Sequence, residues 1–436
     1  MSFSKLGLSQ QIQTTIAKLG YETPTPVQAQ AIPMVLAKRD VMAGAQTGTG
    51  KTGAFALPII DMLSAQASQS NAIRGLVLTP TRELAQQVCK SFVEYAQGTD
   101  LKIGLAYGGV SLNPQIKALK DGCDILVATP GRLLDLLFKG TFDLDSIEHL
   151  VFDEADRMLD MGFMVDIKRI LKRVPDERQT MLFSATFDQA IFDLSKRLLN
   201  QPELIEVAQR NTTASEIEQI IYNVDEDKKR ELTSFMIGSK NWQQVLIFVR
   251  TRQGAEALAK EMCKDGVKAQ SIHGDKSQGA REKALEEFKS GKTRALVATD
   301  VAARGLDIEQ LNYVINYELP YIAEDYIHRI GRTGRAEAEG EAITFVTPAN
   351  FLALKKLEKL IRVTVPRKKA EGFKYDARPV EEKRPRKKKE EEKKSHFETP
   401  SKFSLKNKPG SGPRKSGPGA KPSRKPVKGA PKRKRR

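Results

Sequence analysis

Residues Ala45-Gln46-Thr47-Gly48-Thr49-Gly50-Lys51-Thr52 decide how this chain is read. The apolar run Val41-Met42-Ala43 leads into them, and a helix-favouring segment follows. Glycines let the backbone curl so that successive N–H groups converge on one anion, and the next helix points its N-terminus at the same place. In such a loop Lys51 reaches the β- and γ-phosphates of a nucleotide, and Thr52 offers a hydroxyl to Mg²⁺. The general pattern opens with Gly, and Ala45 stands there instead. The plainer alternative is a Gly/Thr-rich turn that happens to precede Lys-Thr, and the rest of the chain decides between the two.

With 436 residues the chain has room for two or three domains. Hydrophobic residues make up 40% of it, and no apolar run approaches the ~20 residues of a membrane span. The start, Met1-Ser2-Phe3-Ser4-Lys5, has no hydrophobic signal region, so a cytoplasmic protein without a membrane partner is expected. Cys89, Cys123 and Cys263 are too scattered for a disulfide framework or a metal site. The net charge of +18 is unevenly placed. Residues 366–436 carry 27 Lys and Arg against 8 Asp and Glu, while the rest of the chain carries 45 against 46. A near-neutral body with a basic appendage excludes a uniformly basic nucleic-acid coat.

From the loop onward a rhythm appears. Leu76-Val77-Leu78 runs into Thr79-Pro80-Thr81-Arg82, Ile125 to Ala128 into Thr129-Pro130-Gly131-Arg132, Leu150-Val151-Phe152 into Asp153-Glu154, and Met181-Leu182-Phe183 into Ser184-Ala185-Thr186. Short continuous apolar runs between helical patterns predict the buried parallel strands of an α/β sheet. Ligands of such sheets bind outside the carboxyl ends of the strands, so these polar clusters would gather around the loop. The rhythm stops near Val207 and resumes with Val245 to Val249, Ser271-Ile272, Ala295 to Ala298, Val314 to Asn316 and Ala342 to Val346. The expected organisation is a nucleotide-binding domain over 1–207, a linker over 208–218, a second parallel-sheet domain over 219–366, and a disordered basic tail over 367–436. In that tail apolar residues are too sparse to offset chain entropy.

Asp153-Glu154 at a strand end is the natural partner of the loop. Asp153 would hold Mg²⁺, and Glu154 would take a proton from an attacking water. The alternative is two acidic residues opening a helix, where the dipole favours them. In His328-Arg329-Ile330-Gly331-Arg332-Thr333-Gly334-Arg335, glycines space Arg332 and Arg335 as they would be in arginine fingers reaching a γ-phosphate.

These motifs together resemble the DEAD-box ATP-dependent RNA helicases of superfamily two. The matching pieces run in the family's order through residues 1–365: Gly20-Tyr21 with Pro24 to Gln28, Ala45 to Thr52, Pro80 to Ala85, Gly108-Gly109, Thr129 to Arg132, Asp153 to Asp156, Ser184 to Thr186, Ala298 to Asp307, and His328 to Arg335. The family's own loop begins with Ala, which accounts for Ala45. The finer likeness is to the bacterial RhlE-like branch. The resemblance implies two RecA-like domains and ATP with Mg²⁺ as cofactors. The nucleotide would be held by the loop residues Ala45 to Thr52 (Gln46, Thr47, Gly48, Thr49 and Gly50 among them), with Phe3, Tyr21 and Gln28 on the base side and Asp307 on the ribose. Phe3 would stack on the base, and Gln28 would read the adenine edge. His328, Arg332 and Arg335 would complete catalysis with Lys51 and Glu154. Ser184 and Thr186 would link Asp156 to His328.

RNA contacts would come from Thr81, Arg82, Gly109, Thr129 and Arg132, and from Arg250, Gln278, Arg281 and Thr299. Hydroxyls, a glycine backbone and arginines suit phosphate and 2′-OH contacts better than base readout. The implied activity is local separation of short RNA duplexes, or remodelling of RNA–protein complexes, driven by ATP hydrolysis on domain closure. Ribosomal precursors and RNA-decay machinery are the partners that fit. Two rivals remain: a non-enzymatic RNA annealer or clamp, and a DNA-directed helicase of the same superfamily.

Overall fold

The computed structural model describes residues 2–45, 49–66, 72–187, 189–207, 217–303, 306, 308, 311–333, 340–361, 363–370 and 372–373. Gln46, Thr47, Gly48, Asp307 and Arg335 lie outside the described residues, as do 208–216 of the expected linker and the tail beyond 373. Among the described residues no helix is long and apolar enough to cross a membrane.

The first half builds one sheet from β1 (Val41–Gly44), β2 (Gly75–Leu78), β3 (Ile103–Ala106), β4 (Ile125–Ala128), β5 (His149–Phe152), β6 (Gln179–Ser184) and β7 (Glu203–Glu206). Its order is β3-β4-β2-β5-β6-β1-β7, with parallel neighbours throughout. Helices cover both faces, so successive side chains of a strand enter different cores. Val41 and Ala43 pack with Val77 and Val151 on one side, and Met42 packs with Leu76, Leu78 and Leu150 on the other. A strand buried on both faces needs apolar residues at every position, which is why these strands stand out as unbroken apolar runs.

The second half repeats the plan with β8 (Ile217–Asn223), β9 (Val245–Val249), β10 (Ala269–Ile272), β11 (Ala295–Thr299), β12 (Tyr313–Asn316), β13 (Gly340–Val346) and β14 (Arg367–Lys368). The order is β10-β11-β9-β12-β13-β8-β14. Numbered within its own half, each sheet reads 3-4-2-5-6-1-7. The fold is therefore two RecA-like parallel-sheet domains in tandem.

Two expected boundaries shift. Ile217 and Glu218, within the expected linker, already pair with Gly340 and Glu341. Arg367 and Lys368, within the expected tail, add an edge strand to β8, beside Ile221 and Tyr222. Both basic residues are exposed. An edge strand is held by backbone hydrogen bonds and carries no apolar signature.

The repeat extends to one position in the nucleotide region. Lys51 opens the helix Lys51–Ser64 after β1, and Lys229 opens the helix Lys229–Ser239 after β8. Asp153 follows β5 as Tyr317 follows β12. Lys229 is 1% exposed, and its ammonium is held by Glu226 at 2.8 Å, 5.5 Å from the Tyr317 ring centre. The lysine that opens this helix in the second domain is thus paired with a carboxylate of its own domain.

Candidate functional site

The ends of β1, β6 and β5 are consecutive in the sheet, so Lys51 and Asp153 start from strands ~10 Å apart at the usual strand spacing. Between them lies a cavity of about 360 Å³ lined by Tyr21, Thr25, Gln28, Gly50, Lys51, Thr52, Tyr95, Asp153, Glu154, Leu306 and Arg332, among others. Gly50 stands at φ +85° as the cap of the Lys51–Ser64 helix, a conformation that costs a residue with a Cβ about 1–2 kcal/mol. Ala45 fixes the start of the loop by donating its N–H to the Ser184 carbonyl at 3.0 Å.

Among the described residues, three buried groups in this cavity lack hydrogen-bond partners: the Thr25 hydroxyl, the Lys51 ammonium and one carboxylate oxygen of Asp153. Burial pushes the Asp153 carboxyl up to about 6, with Lys51 pulling it back and Glu154 adding repulsion. An unsatisfied cation and an unsatisfied carboxylate in one cavity match the needs of a triphosphate and of a divalent cation beside it. Glu154 is buried and sits at φ +55°, a left-handed conformation unusual for a residue with a side chain.

Gln28 is 7% exposed. Its side-chain oxygen accepts from Thr25 N–H at 2.9 Å, and its amide nitrogen donates to the Gly50 carbonyl at 3.0 Å. It therefore braces the phosphate loop, leaving part of its donor and acceptor capacity for a base. Phe3 is buried in the first domain's core with Leu6, Ile12 and Ile32 and is not among the residues lining this cavity. Tyr21 and Tyr95 are the aromatics that line the cavity; Tyr21 is 44% exposed, with its hydroxyl 3.3 Å from that of Tyr95.

Asp156 is clamped. One oxygen accepts from Ala185 N–H at 3.1 Å, Thr186 N–H at 3.0 Å and the Thr186 hydroxyl at 3.1 Å. The other accepts from Arg157 N–H at 2.9 Å. Burial would raise this carboxyl, but the charges of His328, Arg157 and Lys51 outweigh it and hold it low. Of the expected links, Thr186 touches Asp156 directly, while Ser184 donates to the Thr186 carbonyl at 2.7 Å. Arg332 reaches the cavity from the second domain, donating to the Leu306 carbonyl at 2.9 Å.

The residues expected to face RNA lie at the same strand ends. Thr81 caps the helix Arg82–Tyr95, accepting from Leu84 N–H. Thr129 precedes the helix Pro130–Phe138, and Thr299 ends β11. Arg132 donates to the Val110 carbonyl at 2.9 Å, and its other nitrogens Nε and Nη1 are buried without hydrogen-bond partners. Gly109 stands at φ +80°, where a Cβ would collide with the Arg82 guanidinium. Arg250 pairs with Glu318 at 3.3 Å. Three of the set also meet across the cleft between the domains: Arg82 is 3.4 Å from Gln278, and Arg281 is 2.8 Å from Glu83.

Several contributors carry no signal in the sequence. Glu83, Gln86 and Glu282 join the cleft contacts. Arg157 reaches Asp325 of the second domain at 2.6 Å. Glu83 and Arg157 lie inside or beside quoted motifs, but their partners are set by the fold alone.

Fold and site together define a two-domain nucleotide-binding protein whose cavity is lined from both domains. Comparison with known proteins gives the family. Residues 25–194 match the DEAD/DEAH box helicase family, and residues 227–337 match the helicase conserved C-terminal domain. A DEAD-box ATP-dependent RNA helicase CshA from Geobacillus kaustophilus is 42% identical over 368 residues, 84% of this chain and 78% of that protein. RNA helicase CrhR from Synechocystis is 41% identical over 362 residues, 83% of this chain and 73% of that protein. The structure of S. cerevisiae Dbp5 bound to RNA and ADP BeF3 superposes with a TM-score of 0.76 at 31% identity, covering 84% of this chain and 95% of that one. The chain belongs to the DEAD-box ATP-dependent RNA helicases: it binds ATP and RNA, and its activity is that of an RNA-dependent ATPase and helicase. The relatives just named are CshA and CrhR proteins and lend no support to the RhlE-like branch.

Proposed function

We propose that ATP and single-stranded RNA together draw the two domains into the arrangement described, and that hydrolysis occurs only there. The observation that carries this reading is the presence of Arg332, from the second domain, in the same cavity as Lys51, Asp153 and Glu154. Lys51 would hold the phosphates, and Thr52 and Asp153 would hold Mg²⁺, which would neutralise charge on the transferring phosphoryl group. Glu154 takes the proton of the attacking water. Arg332, with Arg335, stabilises the charge that develops, a contribution of about 10³–10⁵ in rate for arginine fingers in general. Gln28 and Tyr21 face the base, and Asp307 the ribose.

RNA lies along Thr81, Arg82, Gly109, Thr129 and Arg132, then Arg250, Gln278, Arg281 and Thr299, held by backbone and 2′-OH contacts. A strand bent by closure cannot remain in a duplex, so short duplexes separate locally and RNA–protein complexes are remodelled. The basic segment raises the RNA concentration near the core. Ribosomal precursors or RNAs under decay, in the cytoplasm, are the substrates we favour.

Glu154→Gln tests the chemistry. ATP and RNA binding should persist while turnover is lost, and wild-type turnover would remove Glu154 from this role. Matched RNA and DNA oligomers in an ATPase assay separate the RNA reading from the DNA-directed one. Removing residues 381–436 should raise the RNA concentration needed for half-maximal ATPase, most strongly at low salt.

A further inference from the structure

Arg157 and Asp325 are 168 residues apart in the chain and 2.6 Å apart in the fold. Their side chains are only 5% and 8% exposed. Each is tied to a different half of the site. Arg157 follows Asp156 and donates its N–H to that carboxylate. Asp325 belongs to the helix Glu324–Ile330, which carries His328 and Arg329 and ends two residues before Arg332.

That helix is fixed to its own sheet. Arg329, 1% exposed, grips Asp300 at 2.5 and 2.7 Å, Asn316 at 3.2 Å and the Glu318 carbonyl at 2.6 Å. A pull on Asp325 therefore moves Arg332 together with the second domain. Arg157 also has a partner on its own helix, Asp160, at 3.6 Å. This local acceptor stays with Arg157 when the domains part. Arg157 thus stands between a local, partly exposed carboxylate and a distant, buried one, and lies closer to the latter. The buried state is worth having only if geometry is good, since a buried ion without its partner is strongly unfavourable.

We propose that the Arg157–Asp325 pair is the positioning contact that seats Arg332 at the phosphate end of the ATP cavity. It rests on the reading that Arg332 acts on ATP held by Lys51. Neither member of the pair touches ATP in this account. They act through Arg332, and their loss slows turnover while leaving nucleotide affinity intact.

The test compares Arg157→Met, Asp325→Asn, the double variant and Arg332→Ala in the full chain. RNA-stimulated ATPase gives kcat and the KM for ATP separately, and melting curves confirm folding. Each single variant of the pair should lower kcat by about tenfold or more, the usual range of coupling between sites, with the KM for ATP changed by less than about twofold. The double variant should be no slower than the poorer single, because one contact is lost only once. If Arg157→Met fails to fold, Asp325→Asn and Arg157→Lys carry the test, the lysine retaining a charge and keeping kcat above that of an uncharged residue. Wild-type kcat in Asp325→Asn alongside a slow Arg332→Ala would overturn the pair and leave the closure reading standing. Losses that multiply in the double variant would also overturn the pair. A wild-type rate in Arg332→Ala would remove the closure reading itself.

Discussion

Glu83 and Arg281 meet at 2.8 Å across the cleft, with side chains 8% and 9% exposed. They face each other because two helices do. Glu83 and Gln86 share one face of the helix Arg82–Tyr95, and Gln278, Arg281 and Glu282 share one face of the helix Gln278–Lys289. Gln86 reaches Glu282 at 3.1 Å, and Gln278 reaches Glu83 at 3.3 Å. Arg281, an expected RNA contact, has its charge balanced here by the other domain. Glu83→Ala should weaken closure by about 2–5 kcal/mol, the cost of stranding a buried charge. Glu83→Gln should recover part of it. Energy transfer between dyes on the two domains, with RNA and a non-hydrolysable nucleotide present, would show the loss.

Lys51→Met removes a buried ammonium that has no hydrogen-bond partner. ATP affinity should fall roughly 10- to 100-fold, as expected for losing a charged hydrogen bond. The nucleotide-free protein should melt no lower than wild type. A titration with a fluorescent ATP analogue and a melting curve together check both statements.

Asp153 gives a pH-dependent signature. Its carboxyl is pushed from 3.8 to about 6 by burial, so between these values the folded state binds the proton more tightly than the unfolded one. Stability in the absence of ligand must then fall as pH rises through that window, and the whole penalty is present above it. The shift corresponds to about 3 kcal/mol. Asp153→Asn should be more stable than wild type at pH 8, and the difference should shrink towards pH 4. The same variant should lose ATPase activity. Melting temperatures measured across that range, without nucleotide, decide the point.

Gly53 lies on the helix beside Gln28, and a Cβ there would stand 2.7 Å from the Gln28 amide nitrogen. That amide is pinned by Thr25 and Gly50, so it has little room to yield. Gly53→Ala should displace it and reduce discrimination between ATP and GTP. The ratio of kcat/KM for the two nucleotides is the measurement.

The central strands were legible because burial on both faces leaves only apolar residues. β1, β2, β4, β5, β6, β9, β11 and β12 all announce themselves this way. β7, written Glu-Leu-Ile-Glu, and β14, written Arg-Lys, were not, since an edge strand answers only to backbone pairing. The ATP site was legible where one local loop makes it, as at Gly50, Lys51 and Thr52. For Phe3, a spacing from Gly20 does not say whether a ring faces the core or the cavity, and its burial in the core is set by the fold. Arg157 with Asp325 and Glu83 with Arg281 were invisible for a different reason. Each side chain looks like any surface charge until folding brings its partner to it from more than 160 positions away.

The internal pairing of Lys229 with Glu226 bears on how the whole chain senses its fuel. Two sheets of the same order offer two places where a nucleotide-binding lysine can head a helix, yet in one of them the counterion is part of the protein. In the second domain the helix-opening lysine is already matched by Glu226, so the buried ammonium left to meet an incoming anion is Lys51 in the first.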